Sequence, residues 1–328
     1  MKILITGSLG LVGSQAMKLF RSKGWEVIGM DNNMRSKMFG TEEQGDLYSI
    51  DTDIRDQEKV NRTFRNLGPF DAIIHAAAQP SHDWAKNEPL TDFDINARGT
   101  LILLEATRKY CPDAVFVYVS TDKVYGENMG NLNLGETPTR YHVKNAFNES
   151  LGLDFAGQRS LFGCSKTAAD IYVQEYGNYF GMKTACFRPG CITGKNHQGA
   201  EYHGFLAYLV KCIKEGKTYR IFGYKGKQVR DQIHAYDLAT AFEHFIESPK
   251  VGAVYNIGGG LERSVSILEA IALIEKEIGK KAMTEYVEQE RKGDRCYDVH
   301  DVSKFRKDYP EWDYKYSLSD IIKELCEV

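Results

Sequence analysis

The chain lacks an excess of either charge: 42 Lys+Arg stand against 45 Asp+Glu, a formal net charge of −3 over 328 residues. That balance excludes a nucleic-acid binder that works through a bulk positive field. Proline is scarce, eight in all, so a long Pro-rich linker is excluded. No apolar run approaches the ~18 residues that a membrane-spanning helix needs. The apolar start, residues 3–12, is broken by Gly7 and Gly10, unlike the core of a secretory leader. Cysteine is present seven times without a C-x-x-C pair; the odd number points to buried, reduced thiols in a reducing compartment. His197 and His203 have no cysteine at ligand spacing and form no H-E-x-x-H, so no metal site is expected. These absences together predict a cytoplasmic protein.

What is present is an ordinary globular composition, 42% hydrophobic and 27% charged. Short apolar runs at residues 3–6, 25–30, 71–75 and 115–120 alternate with helix-period stretches at 13–23, 57–67 and 92–110. Strand runs with little polar alternation belong to a sheet covered on both faces, and the βαβα rhythm makes that sheet parallel. The fold class expected is therefore α/β, a Rossmann-type doubly wound sheet. Beyond about Arg188 the rhythm loosens into glycine-bearing loops with helices near 205–215, 236–247 and 266–278, which predicts a smaller C-terminal lobe. The charged run 285–295 reads mainly as solvated surface.

Thr6-Gly7-Ser8-Leu9-Gly10-Leu11-Val12-Gly13 follows the first strand and opens a helix. Glycines at 7, 10 and 13 allow a tight turn and close backbone approach to a pyrophosphate, while the helix N-terminus supplies N–H groups. Asp31, at the end of the second strand, is placed to accept from a ribose hydroxyl and repel a 2′-phosphate, which favours NAD over NADP. Arg35 keeps the second coenzyme open, since a guanidinium there would hold that phosphate.

The Gly7-x-x-Gly10-x-x-Gly13 spacing resembles the short-chain dehydrogenase/reductase superfamily, in its extended branch of NAD-dependent nucleotide-sugar epimerases and dehydratases. Asp53-Ile54-Arg55-Asp56 resembles that branch's adenine-contacting segment, His75-Ala76-Ala77-Ala78 its cofactor wall, and Asn96-x-x-Gly99-Thr100 its central helix. The resemblance implies an NAD-binding domain at 1–188, rejoined by parts of about 229–257, with the remainder of 189–328 mainly a nucleotide-sugar lobe. It implies cofactor contacts from Gly7, Leu9, Gly10, Leu11, Val12, Asp31, Asn32, Asn33, Arg35, Asp53, Ile54, Ala76, Ala77, Ala78, Asn96, Ser120, Lys166 and Arg188.

The superfamily's chemistry uses a Ser/Thr at a strand end and a Tyr-x-x-x-Lys on the next helix. Thr121, in Ser120-Thr121-Asp122-Lys123-Val124-Tyr125-Gly126, corresponds to the first. The second is Phe162-Gly163-Cys164-Ser165-Lys166, with phenylalanine where the tyrosine belongs. Residues 162 and 166 share a helix face, but a benzyl ring exchanges no proton. Tyr125, Asp122 and Lys166 itself are the candidates to replace it, with Thr121 orienting the hydroxyl. A nucleotide-binding protein without chemistry is the rival from another class.

Four stretches resemble more narrowly the CDP-paratose 2-epimerase (CDP-tyvelose 2-epimerase) group: Asp31–Arg35 with Phe39-Gly40, Ser120–Gly126, Leu153-Asp154-Phe155 leading to Gly163–Lys166 and Ala168-Ala169-Asp170, and Gly226–Asp231. Asp122, Phe162 and Phe187–Cys191 depart from that group's pattern. The resemblance implies epimerisation at C2 of a CDP-sugar through a transient 2-keto intermediate. Thr121-Asp122-Lys123 also resembles inverting nucleotide-sugar 4,6-dehydratases, the nearest enzymatic alternative. Arg230 and Arg295 are the candidates for the diphosphate, since guanidinium suits bidentate phosphate contact. Their plainer reading is a salt bridge with Asp231 or Asp294. Gln79, Ser81, Asn196, His197 and Gln198 complete the substrate-binding candidates. A homodimer or higher homo-oligomer is implied by resemblance alone.

Overall fold

A computed structural model describes residues 1–34, 49–126, 133–143, 157–195, 197, 199, 204–291 and 294–327. The chain divides into two compact units. The first comprises Met1–Val124, Leu161–Arg188 and Leu238–Tyr255, the second Tyr125–Ser160, Pro189–Asp237 and Asn256–Val328.

The first unit is built on a seven-stranded sheet in the order Ala253–Ile257, Thr184–Pro189, Val115–Val119, Ala72–His75, Lys2–Thr6, Glu26–Asp31, Ser49–Asp51. Pairing is parallel from Thr184–Pro189 across to Ser49–Asp51. Every residue of Ala72–His75 and all but the last of Val115–Val119 is buried, which is why those runs carry no polar alternation. The strand order reverses beside Lys2–Thr6, between Glu26–Asp31 and Ala72–His75, and such switch points open a crevice at the strands' carboxyl ends. The first helix, Leu11–Ser22, turns Ala16, Met17, Leu19 and Phe20 inward. Gln57–Leu67 starts at Asp56, whose carboxylate accepts from Lys59 N.

The stretch expected as a single helix over 92–110 is instead three pieces: Pro89–Phe93, a π-helical turn Asp94–Arg98, and Gly99–Tyr110. The wide turn brings Asn96 inward, where its amide meets four partners. Periodicity alone carries no signal for that turn.

The second unit has its own core, formed by Phe205–Glu215, Ile267–Ile278 and Leu318–Glu327 with Tyr219 and Ile221. Ser266 and Glu269 close a capping box on Ile267–Ile278. Val229–His234 pairs with Ser264–Ser266, Tyr297–Asp298 and Cys191–Thr193. Most described members of the run 285–295 are exposed, as expected; its start belongs to a strand, Met283–Val287, paired in parallel with Thr218–Phe222, and Arg295 at its end is buried.

None of the seven cysteines is in a disulfide; Cys111, Cys186 and Cys212 are buried as expected, but Cys191, Cys296 and Cys326 are only partly buried and Cys164, on the outer face of the Ser160–Phe180 helix, is exposed. No described helix is long and apolar enough to cross a membrane.

Candidate active site

The glycine loop leaves Lys2–Thr6 at the switch point. Gly7 has φ +67°, and a Cβ there would lie 2.6 Å from Ala77 N, so the loop presses directly on the Ala76–Ala77 backbone. A Cβ at Gly13 would lie 2.1 Å from Gly7 O, which ties the helix to the loop. Leu11–Ser22 begins at Gly10 with no side-chain cap and no acid in its first turn, leaving its amides available to an anion. Asp31 accepts from Leu9 N at 3.0 Å and Asn33 N at 2.8 Å, and a carboxylate has capacity for a ribose hydroxyl besides. Asn32 donates to Asp53, which also receives the Arg55 guanidinium. Burial would raise the Asp53 carboxyl, but the hydrogen bonds from Arg55 outweigh it and hold it down at about 2. This cradle fits a dinucleotide.

Behind the wall, Thr6 Oγ1 lies 2.8 Å from His75 Nδ1, and His75 Nε2 lies 2.9 Å from Thr100 Oγ1. Thr100 spends its own proton on Asn96 O, so His75 Nε2 carries the hydrogen and Nδ1 accepts from Thr6. Burial, reinforced by the Lys166 charge, pushes His75 down to about 3, so it is a neutral strut. Ile54 is buried in the core against Gly99, Ala78 is exposed, and Val12 lies in the first turn of the opening helix.

The catalytic candidates gather at the carboxyl end of Val115–Val119. Thr121 donates to Asp122, and Asp122 receives Lys123 Nζ at 3.0 Å. Lys166 Nζ donates to Val119 O at 2.7 Å and sits 4.2 Å above the Tyr118 ring. Burial lowers Lys166 to about 7, only partly offset by Asp170, Cys186 and Asp92. Asp170 is itself saturated by Ser120, Gln174 and the fork of Arg188. Arg188 is thus committed to Asp170, deep in the sheet. Tyr125 belongs to the second unit, and its hydroxyl donates to Asn256.

Phe162 is buried at the start of the Ser160–Phe180 helix, and its ring lies 4.9 Å from the ring of His82. His82 is not among the residues the sequence singled out: it is distant from Phe162 in the chain, and nothing in its local pattern announces the contact. Gln79, expected to touch substrate, is turned inward. Its Nε2 donates to Ser81 O and Asp92, and its Oε1 accepts from Ser81 N, so it shapes the turn after Ala72–His75. Ser81 caps the short His82–Asn87 helix by accepting from Trp84 N.

In the second unit Arg230 donates to Asp294, Val229 O and Arg295 O, and Arg295 donates to Gly126 O and both oxygens of Asp298. Both arginines are buried, not surface groups. The acids differ from those flanking them in sequence: Asp231 takes His300 instead, and Asp298 serves Arg295. Burial opposes the Arg230 charge, yet Asp294 and Asp298 hold its pKa above the ordinary value. His197 N donates to Gly194 O. Arg35, Phe39, Gly40, Leu153–Phe155, Asn196, Gln198 and His203 lie outside the described residues.

Comparison with known proteins follows this geometry. The family profile described as "NAD dependent epimerase/dehydratase family" matches residues 3–258. A CDP-paratose 2-epimerase of Salmonella typhi is 36% identical over 289 residues, covering 84% of each chain. A dTDP-glucose 4,6-dehydratase of Salmonella typhimurium is 28% identical over 310 residues, covering 88% of this chain and 80% of its own. The crystal structure of UDP-glucose 4-epimerase from Thermotoga maritima with UDP-glucose superposes with TM-score 0.82 at 26% identity, covering 100% of this chain and 98% of its own. A glycine cradle at the switch point, an acid at the second strand's end and a lysine-bearing helix beside the fifth strand all agree with the matched span, and this chain belongs to the NAD-dependent epimerase/dehydratase family.

Proposed function

We propose that the chain is an NAD-dependent nucleotide-sugar epimerase that inverts C2 of a CDP-sugar through a transient 2-keto sugar. The observation that carries this reading is the 36% identity to a CDP-paratose 2-epimerase, against 28% to the dehydratase. Bound NAD⁺ supplies the oxidation and its reversal, so the net reaction consumes no oxidant. The glycine loop and the helix N-terminus hold the pyrophosphate, and Asp31 holds the adenosine ribose. Lys166 binds the nicotinamide ribose beside the Val119 carbonyl, and Thr121 orients the sugar hydroxyl. Arg230 and Arg295 meet the diphosphate charge.

The ion pair of Lys123 with Asp122, next to Thr121, favours one second reading, a 4,6-dehydratase in which acid and amine manage water loss. A substrate deuterated at C2 separates the two. An epimerase returns a stereoisomer that keeps the label; loss of the label to solvent overturns the proposed cycle. A keto sugar accumulating with its own absorbance establishes the dehydratase instead. Tight NAD binding without turnover on CDP-, UDP-, GDP- and dTDP-sugars would leave a binding protein.

A further inference from the structure

Phe162 removes the phenol that would exchange the substrate's proton, and Tyr125, Asp122 and Lys166 each hold a hydrogen bond or ion pair within the fold. Tyr125 donates to Asn256, Asp122 is closed by Thr121 and Lys123, and Lys166 is directed at Val119 O. The group in ring contact with Phe162 is an imidazole, that of His82, tilted by 58° and half-buried. We propose that His82 is the catalytic acid–base that replaces the missing tyrosine; this rests on the nucleotide-sugar reading above.

Three observations support the assignment. His82 follows the carboxyl end of Ala72–His75, the edge at which parallel α/β sheets hold their ligands. Its ring centroid lies 4.9 Å from that of Phe162, the residue at the position of the missing phenol. The turn that presents it is also anchored: Gln79 clamps Ser81 from both sides and donates to Asp92 at 2.8 Å, while Asn96 donates to the same Asp92 oxygen. Asn96 then reaches Ser165 Oγ at 3.1 Å, on the helix that carries Phe162 and Lys166. One buried network therefore sets both halves of the His82–Phe162 contact. A catalytic group needs that kind of support, since a small misplacement is costly.

The proton bookkeeping closes. In the oxidation half, the sugar hydroxyl passes its proton to the unprotonated imidazole nitrogen as C–O becomes C=O, and the carbon's hydrogen leaves with two electrons to bound NAD⁺. In the return half, the imidazolium gives the proton back as the carbon is reduced again from the opposite face. Imidazole suits both directions because it exchanges protons near neutral pH. Among the described residues, its own helix carries Asp83 and Lys86, the segment packed against that helix Glu88 and Asp92, and the helix of Phe162 carries Lys166.

The test uses the NAD-loaded enzyme with CDP-paratose, UDP-glucose and dTDP-glucose. His82→Gln is expected to lower kcat by ~10²–10⁴-fold and to remove the acid limb of the kcat/KM profile. Nucleotide-sugar affinity, measured by calorimetry, is expected to stay unchanged. NMR titration of the His82 ring, assigned by its absence in His82→Gln, is expected to show a midpoint matching that limb. Adding Phe162→Tyr to His82→Gln is expected to restore turnover, because a phenol beside Lys166 performs the same transfer; a structural role for His82 would not be rescued. An active wild type whose His82→Gln variant keeps its rate and acid limb overturns the assignment alone, as does failure of the rescue. A wild type that neither isomerises any of these sugars nor reduces its bound NAD⁺ overturns both readings, since no proton transfer remains to be served.

Discussion

Among the described residues each unit buries two cationic side chains, and Lys166 of the first is treated oppositely to Arg230 of the second. Lys166, in the first unit, has a carbonyl and an aromatic face for company, while the nearby Asp170 is spent on Arg188, Ser120 and Gln174. Desolvation prevails, and the amine sits near neutrality at about 7. Arg230, in the second unit, is buried about as deeply but donates to Asp294 and lies near Asp298, so its charge is held firmly. Burial alone does not decide protonation; the availability of an acid does. The first arrangement leaves an amine whose charge responds to pH near neutrality, and the second holds a permanent positive charge.

The comparison predicts the largest stability effect in the second unit. Arg230→Met takes the nearer guanidinium from the partly buried Asp294 and leaves it that of Arg291 at 3.4 Å, and about 3 kcal/mol of unfolding free energy, the low end for breaking a buried pair, should disappear. Urea denaturation checks this, and a loss below about 1 kcal/mol would mean the pair is not effectively buried. Lys166→Met should behave in the opposite way. Turnover falls ~10²–10⁴-fold, while the melting temperature holds or rises, because an ammonium costly to desolvate gives way to an apolar chain.

Arg295→Lys keeps the charge but cannot serve Asp298 and Gly126 O at once, as Nη1 and Nε do, and should cost about 1.5–3 kcal/mol, the size of one charged hydrogen bond. The last effect is a slope. Lys166 titrates at about 7 when folded and at an ordinary 10.5 when unfolded, so between those values the unfolded chain binds more protons. The amine's contribution to stability therefore rises with pH across that window and is lost as pH falls toward 7. Wild-type and Lys166→Met unfolding curves taken at several pH values should differ by this slope, and parallel curves would show that Lys166 is not shifted.

Much of the cofactor cradle is legible in the sequence because it is local. Gly7, Gly10 and Gly13 lie within one turn, and steric limits on a left-handed or crowded backbone operate over a few residues. The strand runs are legible for the same kind of reason, since two-sided burial suppresses polar alternation. The π-helical turn at Asp94–Arg98 is not legible, because it is set by where Asn96 must point, toward Gln79, Asp92 and Ser165. Salt-bridge partners are equally hidden: Asp231, adjacent to Arg230, turns to His300.

By itself the sequence determined the parallel α/β class, the dinucleotide loop, the helix that carries Lys166 and the phenylalanine at residue 162. Each of these depends on residue type at short spacing. Tertiary structure alone decided which ring lies against that phenylalanine, which acids hold Arg230 and Arg295, and why Lys166 is left without one. Those are contacts between distant segments, where burial and competition for hydrogen-bond partners, rather than order along the chain, choose the outcome.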